Sequence, residues 1–333
     1  MAEMKVIALM GDSHTWGEGV GAEYGFDPPV VGADKRMNSF VYPNYANLLR
    51  EAINLKTGSR AREIIRDELT ALCGGRDGDY GILSPAKPVT VRDSFGLCRL
   101  FLFGSEVPVT VTVTLDGAPV RTVTVQSDDP SPAASVCPVV LHAPSGQHKL
   151  TLTASAPVRL HRVELYDGAY AVVNCGIGSC PVGRYVDDFF DSYIAALKPY
   201  AVVMEGNTIN DWLTGEPLSA YADDLTRAVA SVRALTPRLM AHSVFPVAGS
   251  QTWGDNPVPY GDYVSTMKDT LMSLGVRFVD THAVFLDELA RVPEVRRNQF
   301  LYHDPWHPNG TGHAIYARAI LPELLALIGL QAL

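Results

Sequence analysis

The sequence predicts an α/β protein in which helices cover both faces of a parallel sheet and an all-β segment is inserted. Two observations support this prediction. A short apolar run followed by a helical segment opens the chain, and the same alternation returns after residue 168, as is typical of a parallel sheet. Between about residues 89 and 166, the pattern changes to period-2 strands rich in Val, Thr and Leu.

The first predicted element is a strand buried on both faces. Residues 5–10 read KVIALM, a short apolar run that ends at Gly11-Asp12-Ser13. From residue 43 to residue 55, apolar side chains recur at helical spacing, and a proline stands at the start. A strand and a helix are therefore expected before the β segment.

The middle of the chain predicts an antiparallel structure. Segments such as VTVRDSF (89–95) and VTVTVTLDG (109–117) alternate in polarity and are separated by Gly, Pro and Asp turns. This spacing is typical of a sandwich of jelly-roll type. We therefore expect a β-sandwich domain at residues 61–167, inserted into a discontinuous α/β domain formed by residues 1–60 and 168–333.

After residue 168, strands and helices alternate again, as expected for a parallel sheet with helical crossovers. The predicted strands span residues 171–174, 200–204, 238–244 and 276–280. The predicted helices span residues 182–197, 218–235, 260–274 and 315–328.

Composition excludes several classes of function. The chain has 333 residues, 47% of them hydrophobic, which is enough for a buried core and long for one simple domain. Its formal net charge of −9 argues against a nucleic-acid partner. The five cysteines are an odd number and lack zinc-ligand spacing, so we expect neither a metal site nor a cofactor.

The N-terminal sequence predicts neither a leader nor a membrane anchor. MAEMKVIALMGDS has a short apolar run that leads directly into a polar motif, whereas a signal peptide has a longer apolar core and a cleavage site. No apolar run approaches the roughly 20 residues of a membrane span. We therefore expect a cytoplasmic protein without a membrane partner, and the sequence leaves a homo-oligomer open.

Polar residues follow the predicted strands, at the sheet edge where open parallel sheets bind their ligands. Ser13 follows the first strand, and Asp304 and His307 stand near the C-terminus. A serine hydroxyl becomes a nucleophile when an imidazole removes its proton, and the imidazole needs an acceptor that fixes its tautomer. The spacing of three residues lets one turn present Asp304 and His307 together. We expect Ser13 to be the nucleophile, His307 the base and Asp304 the residue that orients it.

Four motifs in this order resemble the conserved blocks of the SGNH/GDSL-type serine esterase family. They are GDSHTWGEG (11–19), NCGIGS (174–179), EGNTIND (205–211) and DPWH (304–307). The resemblance covers the predicted α/β domain and leaves the β segment uncovered. It implies a flavodoxin-like three-layer α/β/α fold (SGNH hydrolase) and the same catalytic roles for Ser13, Asp304 and His307.

The resemblance also implies an oxyanion hole, whose donors stabilise the charge that develops on the carbonyl oxygen. Ser13 would supply its backbone N–H, and the second block would supply another from Gly178 or Ser179. A carboxamide would come from the third block, where Asn210 is favoured over Asn207 because it keeps an Asn-Asp pair together.

Three further residues belong to these motifs or lie next to them, and two of the three have alternative interpretations. Trp16 and Trp212 are candidate walls of an acyl or sugar pocket, and ordinary packing is the alternative. His14 stands where the family has leucine, and it is expected to point away from the reacting carbonyl.

The resemblance implies a metal-free carboxylic ester hydrolase that works through an acyl-serine intermediate. Family members with an added jelly-roll-like domain are often carbohydrate esterases, so the expected reaction removes acetyl or other short acyl groups from a carbohydrate or small molecule. Two alternatives stay open. One is an acyltransferase that uses the same triad, and the other is an inactive hydrolase core that serves as a carbohydrate-binding module.

Overall fold

The computed structural model describes residues 3–20, 39–74, 76–77, 80–126, 136–248, 252, 254–293, 295–296, 301 and 303–331. The chain divides into two compact units. We call the unit formed by Met1–Lys5 and Ile53–Ala171 the β unit, and the unit formed by Val6–Ala52 and Val172–Leu333 the α/β unit. Along the chain, the α/β unit is left at residue 52 and re-entered at residue 172.

The described strands, in chain order, are β1 (Lys5–Gly11), β2 (Arg60–Ile64), β3 (Arg76–Asp77), β4 (Tyr80–Leu83), β5 (Val89–Phe103), β6 (Val109–Leu115), β7 (Ala118–Val125), β8 (Val136–Ala154), β9 (Val158–Asp167), β10 (Tyr170–Gly176), β11 (Ala201–Glu205), β12 (Leu239–His242) and β13 (Arg277–Val279). The described helices are α1 (Ser13–Trp16), α2 (Tyr45–Thr57), α3 (Arg66–Cys73), α4 (Val182–Arg184), α5 (Phe190–Tyr193), α6 (Thr208–Thr214), α7 (Leu218–Leu235), α8 (Tyr260–Ser273), α9 (Thr281–Arg291) and α10 (Gly310–Leu327).

The α/β unit is built on a five-stranded sheet with the order β10-β1-β11-β12-β13. The pairs β1–β11, β11–β12 and β12–β13 are parallel. Numbered along the chain within this sheet, the order is 2-1-3-4-5, as in flavodoxin. Such a sheet has its topological switch point between its first and third strands, here β1 and β11, and ligands bind beyond the carboxyl ends of those strands.

Burial explains why these strands appear as apolar runs. Every residue of β11 is buried, as is every residue of β1 after Lys5. A strand covered on both faces cannot alternate in polarity. The charged residue at the end of β11, Glu205, is therefore an exception, and its partners are described with the site below.

The β unit contains one hydrogen-bonded sheet of eight strands with the order β3-β4-β9-β5-β8-β6-β7, and β2 pairs with β9. Its neighbouring pairs are antiparallel. The register of β5 against β8 shifts between Phe95 and Leu97. Before the shift, Val91 and Phe95 are part of the hydrophobic core of the β unit. After the shift, Cys98 and Leu100 are part of it. The bulge thus changes which alternate residues of β5 face the core.

Several predicted elements differ from the structure. The predicted helix at residues 182–197 is broken into α4, a π-helical turn at Tyr185–Phe189, α5 and a 3₁₀ turn. The last helix begins five residues earlier than predicted, because Asn309 caps it by accepting a hydrogen bond from the N–H of Gly312. Among the described helices, none has the length and apolar character needed to cross a bilayer.

Candidate active site

The turn after β1 presents Ser13. Asp12 is the N-cap of α1, and its carboxylate accepts a hydrogen bond from the backbone N–H of His14 at 3.0 Å. Gly17 ends the helix with a φ of 104°, which glycine adopts without steric cost. A one-turn helix with a cap at each end therefore carries Ser13 at the carboxyl end of the sheet.

Ser13, His307 and Asp304 form a chain of hydrogen bonds. Ser13 Oγ lies 2.9 Å from His307 Nε2. On the other side of the ring, His307 Nδ1 lies 2.8 Å from one carboxylate oxygen of Asp304 and 3.0 Å from the other. An ionised carboxylate only accepts, so Nδ1 carries the proton and Nε2 can accept the hydroxyl proton of Ser13. The structure thus brings together the three residues that the sequence singled out.

The turn that carries Asp304 also fixes its charge. Asp304 Oδ1 accepts the backbone N–H groups of Trp306 and His307 at 2.7 and 2.8 Å. Burial alone would raise the pKa of Asp304, but the hydrogen bond and charge of His307, with these two N–H groups, lower it to about 2. The carboxylate is therefore ionised near neutral pH, as an orienting acceptor must be.

The two candidate carboxamides occupy different environments. Asn210 Nδ2 donates to Asp12 Oδ2 at 2.8 Å, and Asn210 is 7% exposed. Because a carboxamide nitrogen has two hydrogens, this bond orients Asn210 and leaves one donor for a ligand. Asn207 is 0% exposed, has a φ of 51° and donates to the carbonyl oxygen of Cys180. The geometry therefore favours Asn210 as the donor and Asn207 as a turn residue.

The second motif lies against the turn that carries Ser13. Asn174 Nδ2 donates to the carbonyl oxygen of Thr15 at 2.8 Å. A Cβ on Gly176 would lie 2.1 Å from the backbone nitrogen of Trp16, so only glycine fits. Of the two candidate donors, Gly178 is buried, whereas Ser179 is exposed and has a φ of 56°. The second motif therefore approaches the Ser13 turn through the Asn174 side chain and the Gly176 backbone.

His14 is the centre of a buried polar network that the sequence did not predict. Its Nδ1 lies 2.8 Å from Glu205 Oε1, and its Nε2 lies 2.7 Å from the carbonyl oxygen of Trp306. The carbonyl oxygen of Trp306 can only accept, so Nε2 donates to it, and Nδ1 donates to the ionised carboxylate of Glu205; with both nitrogens protonated the ring is an imidazolium. Burial alone would lower the pKa of His14, but the charges of Asp12 and Glu205 and its two hydrogen bonds raise it to about 10.

Glu205 joins this network to the rest of the turn. Its Oε2 accepts the backbone N–H of Thr15 at 3.1 Å and also the Thr15 hydroxyl. Burial would raise the pKa of Glu205, but the charge of His14 and the hydrogen bonds from His14 and the Thr15 hydroxyl lower it. Burial and the nearby charge of Glu205 raise the pKa of Asp12 to about 7. The end of β11 is thus tied to the turn after β1 and, through Trp306, to the turn that carries His307.

Among the described residues, one cluster has the composition of a metal site. Oxygen or nitrogen atoms of Asp12, His14 and Glu205 lie within 4.8 Å of one another. Both nitrogens of His14 already donate to protein oxygens, and Thr15 donates twice to Glu205. A metal ion would have to displace these hydrogen bonds, so the cluster is better described as a buried ion-pair network.

Glu18 is a second residue near His307 that the sequence does not predict to be part of the site. Its Oε2 lies 3.6 Å from His307 Nε2, on the nitrogen that faces Ser13. No sequence signal marked Glu18. The sequence does contain a signal for Glu205, which is an acidic residue that directly follows the apolar run AVVM. Acidic residues are seldom buried without a partner.

The two tryptophans, for which the sequence leaves pocket wall and ordinary packing as alternatives, are both buried in this structure. Trp16 is 2% exposed and Trp212 is 1% exposed. The Trp212 indole N–H donates to the carbonyl oxygen of Val258 at 3.2 Å, and its ring packs edge-on against Tyr260. A role for either ring in a ligand pocket stays a prediction.

The sequence matches no protein-family model and no curated protein. Among solved structures, the chain is similar to a peptidoglycan O-acetylesterase, with a TM-score of 0.55 and 15% identity over 98% of this chain and 92% of that one. It is also similar to the acetylxylan esterase Axe2 from Geobacillus stearothermophilus, with a TM-score of 0.39 and 24% identity over 49% of this chain and 74% of that one. A protein from Bacillus subtilis has a TM-score of 0.45 and 12% identity over 81% and 88% of the two chains. The first likeness shows that the chain shares its fold with a peptidoglycan O-acetylesterase over nearly its whole length.

Proposed function

We propose that this protein is a carboxylic ester hydrolase of the SGNH type with Ser13 as its nucleophile. The observation that carries the proposal is the continuous chain of hydrogen bonds from Asp304 through His307 to Ser13. It lies beyond the carboxyl end of β1, beside the switch point of the sheet. A carboxylate that orients an imidazole, with that imidazole hydrogen-bonded to a serine hydroxyl, is the arrangement that activates a serine for acyl transfer.

The first half of the proposed reaction forms an acyl-enzyme. His307 Nε2 takes the Ser13 hydroxyl proton as Oγ bonds to the ester carbonyl carbon, and the carbonyl oxygen becomes an oxyanion. The backbone N–H of Ser13, an N–H from Gly178 or Ser179 and the free carboxamide hydrogen of Asn210 are the proposed donors to that oxyanion. His307 then protonates the departing alcohol, and the acyl group remains on Ser13.

The second half releases the acid. Water loses a proton to His307 Nε2 as its oxygen bonds to the acyl carbon, and Ser13 Oγ leaves with the proton that His307 returns. Asp304 keeps the imidazole in one tautomer and stabilises the imidazolium in both halves. If an alcohol replaced water, the same residues would catalyse acyl transfer, and product analysis with a competing alcohol distinguishes the two reactions.

The proposed substrate is an acetyl or other short acyl ester of a carbohydrate. The shared fold supports this choice, because one solved protein with that fold is named a peptidoglycan O-acetylesterase. The second alternative, an inactive core that only binds carbohydrate, is less consistent with an intact hydrogen-bonded chain from Asp304 to Ser13.

We also propose that the β unit is an inserted domain of jelly-roll type. Supporting this, β5 and β8 are long strands of 15 and 19 residues, and the register shift in β5 gives both halves of that strand a core-facing side. Bent strands of this kind can serve two layers of a sandwich.

A panel of nitrophenyl esters from acetyl to dodecanoyl, followed by acetate release from acetylated saccharides, tests the proposed function. We expect turnover to be greatest with the acetyl ester and acetate to be released from at least one acetylated saccharide. Ser13→Ala is the matched control, since it removes one oxygen. Absence of turnover on every ester, or equal turnover by Ser13→Ala, would refute the proposal.

A further inference from the structure

Glu18 places a carboxylate beside the nitrogen that handles the reacting proton. Its Oε2 lies 3.6 Å from His307 Nε2, and the Glu18 side chain is 16% exposed. Asp304 approaches the same imidazole through Nδ1. An acidic side chain therefore lies at each nitrogen of the His307 imidazole. Asp304 lies on the side away from Ser13, whereas Glu18 lies at the nitrogen that faces Ser13.

The backbone around Glu18 holds it in this position. The N–H groups of Gly17 and Glu18 both donate to the carbonyl oxygen of Ser13, at 2.8 and 2.9 Å. Gly19 has a φ of 98°, and a Cβ there would lie 2.6 Å from the carbonyl oxygen of Pro308. Glycines on both sides thus let the chain turn tightly between Ser13 and the segment that follows His307. The position of Glu18 is therefore a consequence of the turn that presents Ser13.

A structural role does not account for the Glu18 carboxylate. Within the described ranges, its contact with His307 is the one ion pair or hydrogen bond that the carboxylate makes. Acidic side chains that lose most of their contact with water usually gain a compensating partner. The carboxylate of Glu18 is therefore available to a ligand that enters beside His307.

The proposed chemistry brings the alcohol half of the ester close to this charge. His307 Nε2 must protonate the departing oxygen, which requires a separation of about 2.6–3.2 Å. Since Glu18 Oε2 is 3.6 Å from the same nitrogen, the departing oxygen can be no farther than about 7 Å from the carboxylate at that moment. Any charged group on the alcohol near that oxygen will interact with Glu18.

We infer that Glu18 selects the alcohol half of the ester by its charge. Esters of neutral polyols or of cationic alcohols are accepted, whereas esters whose alcohol carries a negative charge next to the ester oxygen are disfavoured. A neutral sugar can also donate a hydrogen bond from a hydroxyl group to the Glu18 carboxylate. An anionic alcohol is repelled by the same carboxylate. This inference rests on the proposed ester hydrolase activity and adds to it the class of alcohol.

Three acetyl esters that differ in the charge of the alcohol test this inference. They are acetylcholine (cationic), 2-methoxyethyl acetate (neutral) and acetoxyacetate (anionic), and acetate release gives kcat/KM for each with wild type and Glu18→Gln. Dividing each charged-ester value by the neutral-ester value cancels any general effect of the substitution. We expect Glu18→Gln to raise the anionic-to-neutral ratio about tenfold and to lower the cationic-to-neutral ratio by a similar factor.

Asp223→Asn is the matched control, because it removes one negative charge from an exposed position on α7. It should leave both ratios within about twofold of wild type, since the charge of a solvent-exposed side chain is screened by water and salt. Equal effects of Glu18→Gln on all three esters would overturn the role of Glu18 while leaving the esterase proposal intact. If wild type hydrolyses none of the three esters and none of the nitrophenyl esters, both proposals are refuted.

Discussion

His14 Nδ1 lies 2.8 Å from Glu205 Oε1, and both side chains are completely buried. These residues are 191 positions apart and join the turn after β1 to the end of β11. The other nitrogen of His14 donates to the carbonyl oxygen of Trp306, the neighbour of His307. One imidazolium thus connects the turn of the proposed nucleophile, the third strand of the sheet and the turn of the proposed base.

The protonation states of two buried histidines provide a direct check on this network. His14 should stay doubly protonated up to about pH 10, because Asp12, Glu205 and Trp306 all stabilise the charged ring. His313 should stay neutral down to about pH 3, because burial lowers its pKa. Imidazole carbon and nitrogen chemical shifts, measured by NMR between pH 4 and pH 9, report both states. A neutral His14 at pH 7 would show that the network is wrongly described.

Glu205→Gln should destabilise the protein by about 3–5 kcal/mol, because it leaves the buried charge of His14 without its main partner. The stabilisation that His14 gives is fully present below its unfolded-state pKa of about 6.5 and is lost as pH rises through about 10. Urea unfolding at pH 6, 7 and 9 measures both effects. Asp188→Asn, which breaks the exposed pair with Arg184, is the control and should cost less than about 1 kcal/mol. Equal losses for the two variants would contradict the role given to Glu205.

Asp304→Asn and His307→Ala should reduce kcat to different extents. Removing the base should cost about 10⁶-fold, and removing the orienting charge about 10⁴-fold, by comparison with a serine protease triad. Because the pKa of Asp304 is about 2, no loss of activity above about pH 3 should come from its protonation. Initial rates with one nitrophenyl ester from pH 4 to pH 9 test these expectations. Wild-type rates in His307→Ala would exclude it as the base.

Asn210→Ala should lower the catalytic rate, whereas Asn207→Ala should lower the stability of the protein. Asn210 is the proposed oxyanion donor, so its loss should lower kcat by roughly 10²–10³ with little change in KM. Asn207 is buried with a positive φ, so its loss should lower the free energy of unfolding by about 1–3 kcal/mol instead. Steady-state kinetics and urea unfolding of both variants separate the two outcomes. A selective kcat loss in Asn207→Ala alone would mean that the third motif is misaligned by three residues.

Much of the α/β unit could be predicted because its buried strands are continuous apolar runs. The strand predicted at residues 200–204 is observed as β11, shifted by one residue. The sequence does not predict helix α6, because seven residues are too few to show a helical period. It does not predict α9 either, because the apolar pattern places Asp280, the cap of that helix, at the end of a strand. The π-helical turn at Tyr185–Phe189 follows the same apolar spacing as a regular helix and so leaves no pattern to detect.

The site could be predicted where function depends on residues that follow strand ends. Ser13, Asp304 and His307 were predicted to meet, and the structure brings them within hydrogen-bonding distance. The partners of His14 could not be predicted, because they come from two distant segments and depend on the direction of each side chain. The same is true of Glu18, whose contact with His307 depends on the path of the turn between Gly17 and Gly19.

The central claim is that Ser13 carries the acyl group during turnover. A fluorophosphonate phosphonylates an activated serine, because Oγ bonds to phosphorus and fluoride leaves; incubation with this reagent, followed by peptide mass spectrometry, is the direct test. We predict one modified residue, Ser13, a loss of esterase activity in proportion to labelling, and no labelling of Ser13→Ala or His307→Ala. Modification of a different serine that abolishes activity, or full turnover of an acetyl ester by Ser13→Ala, would contradict the account.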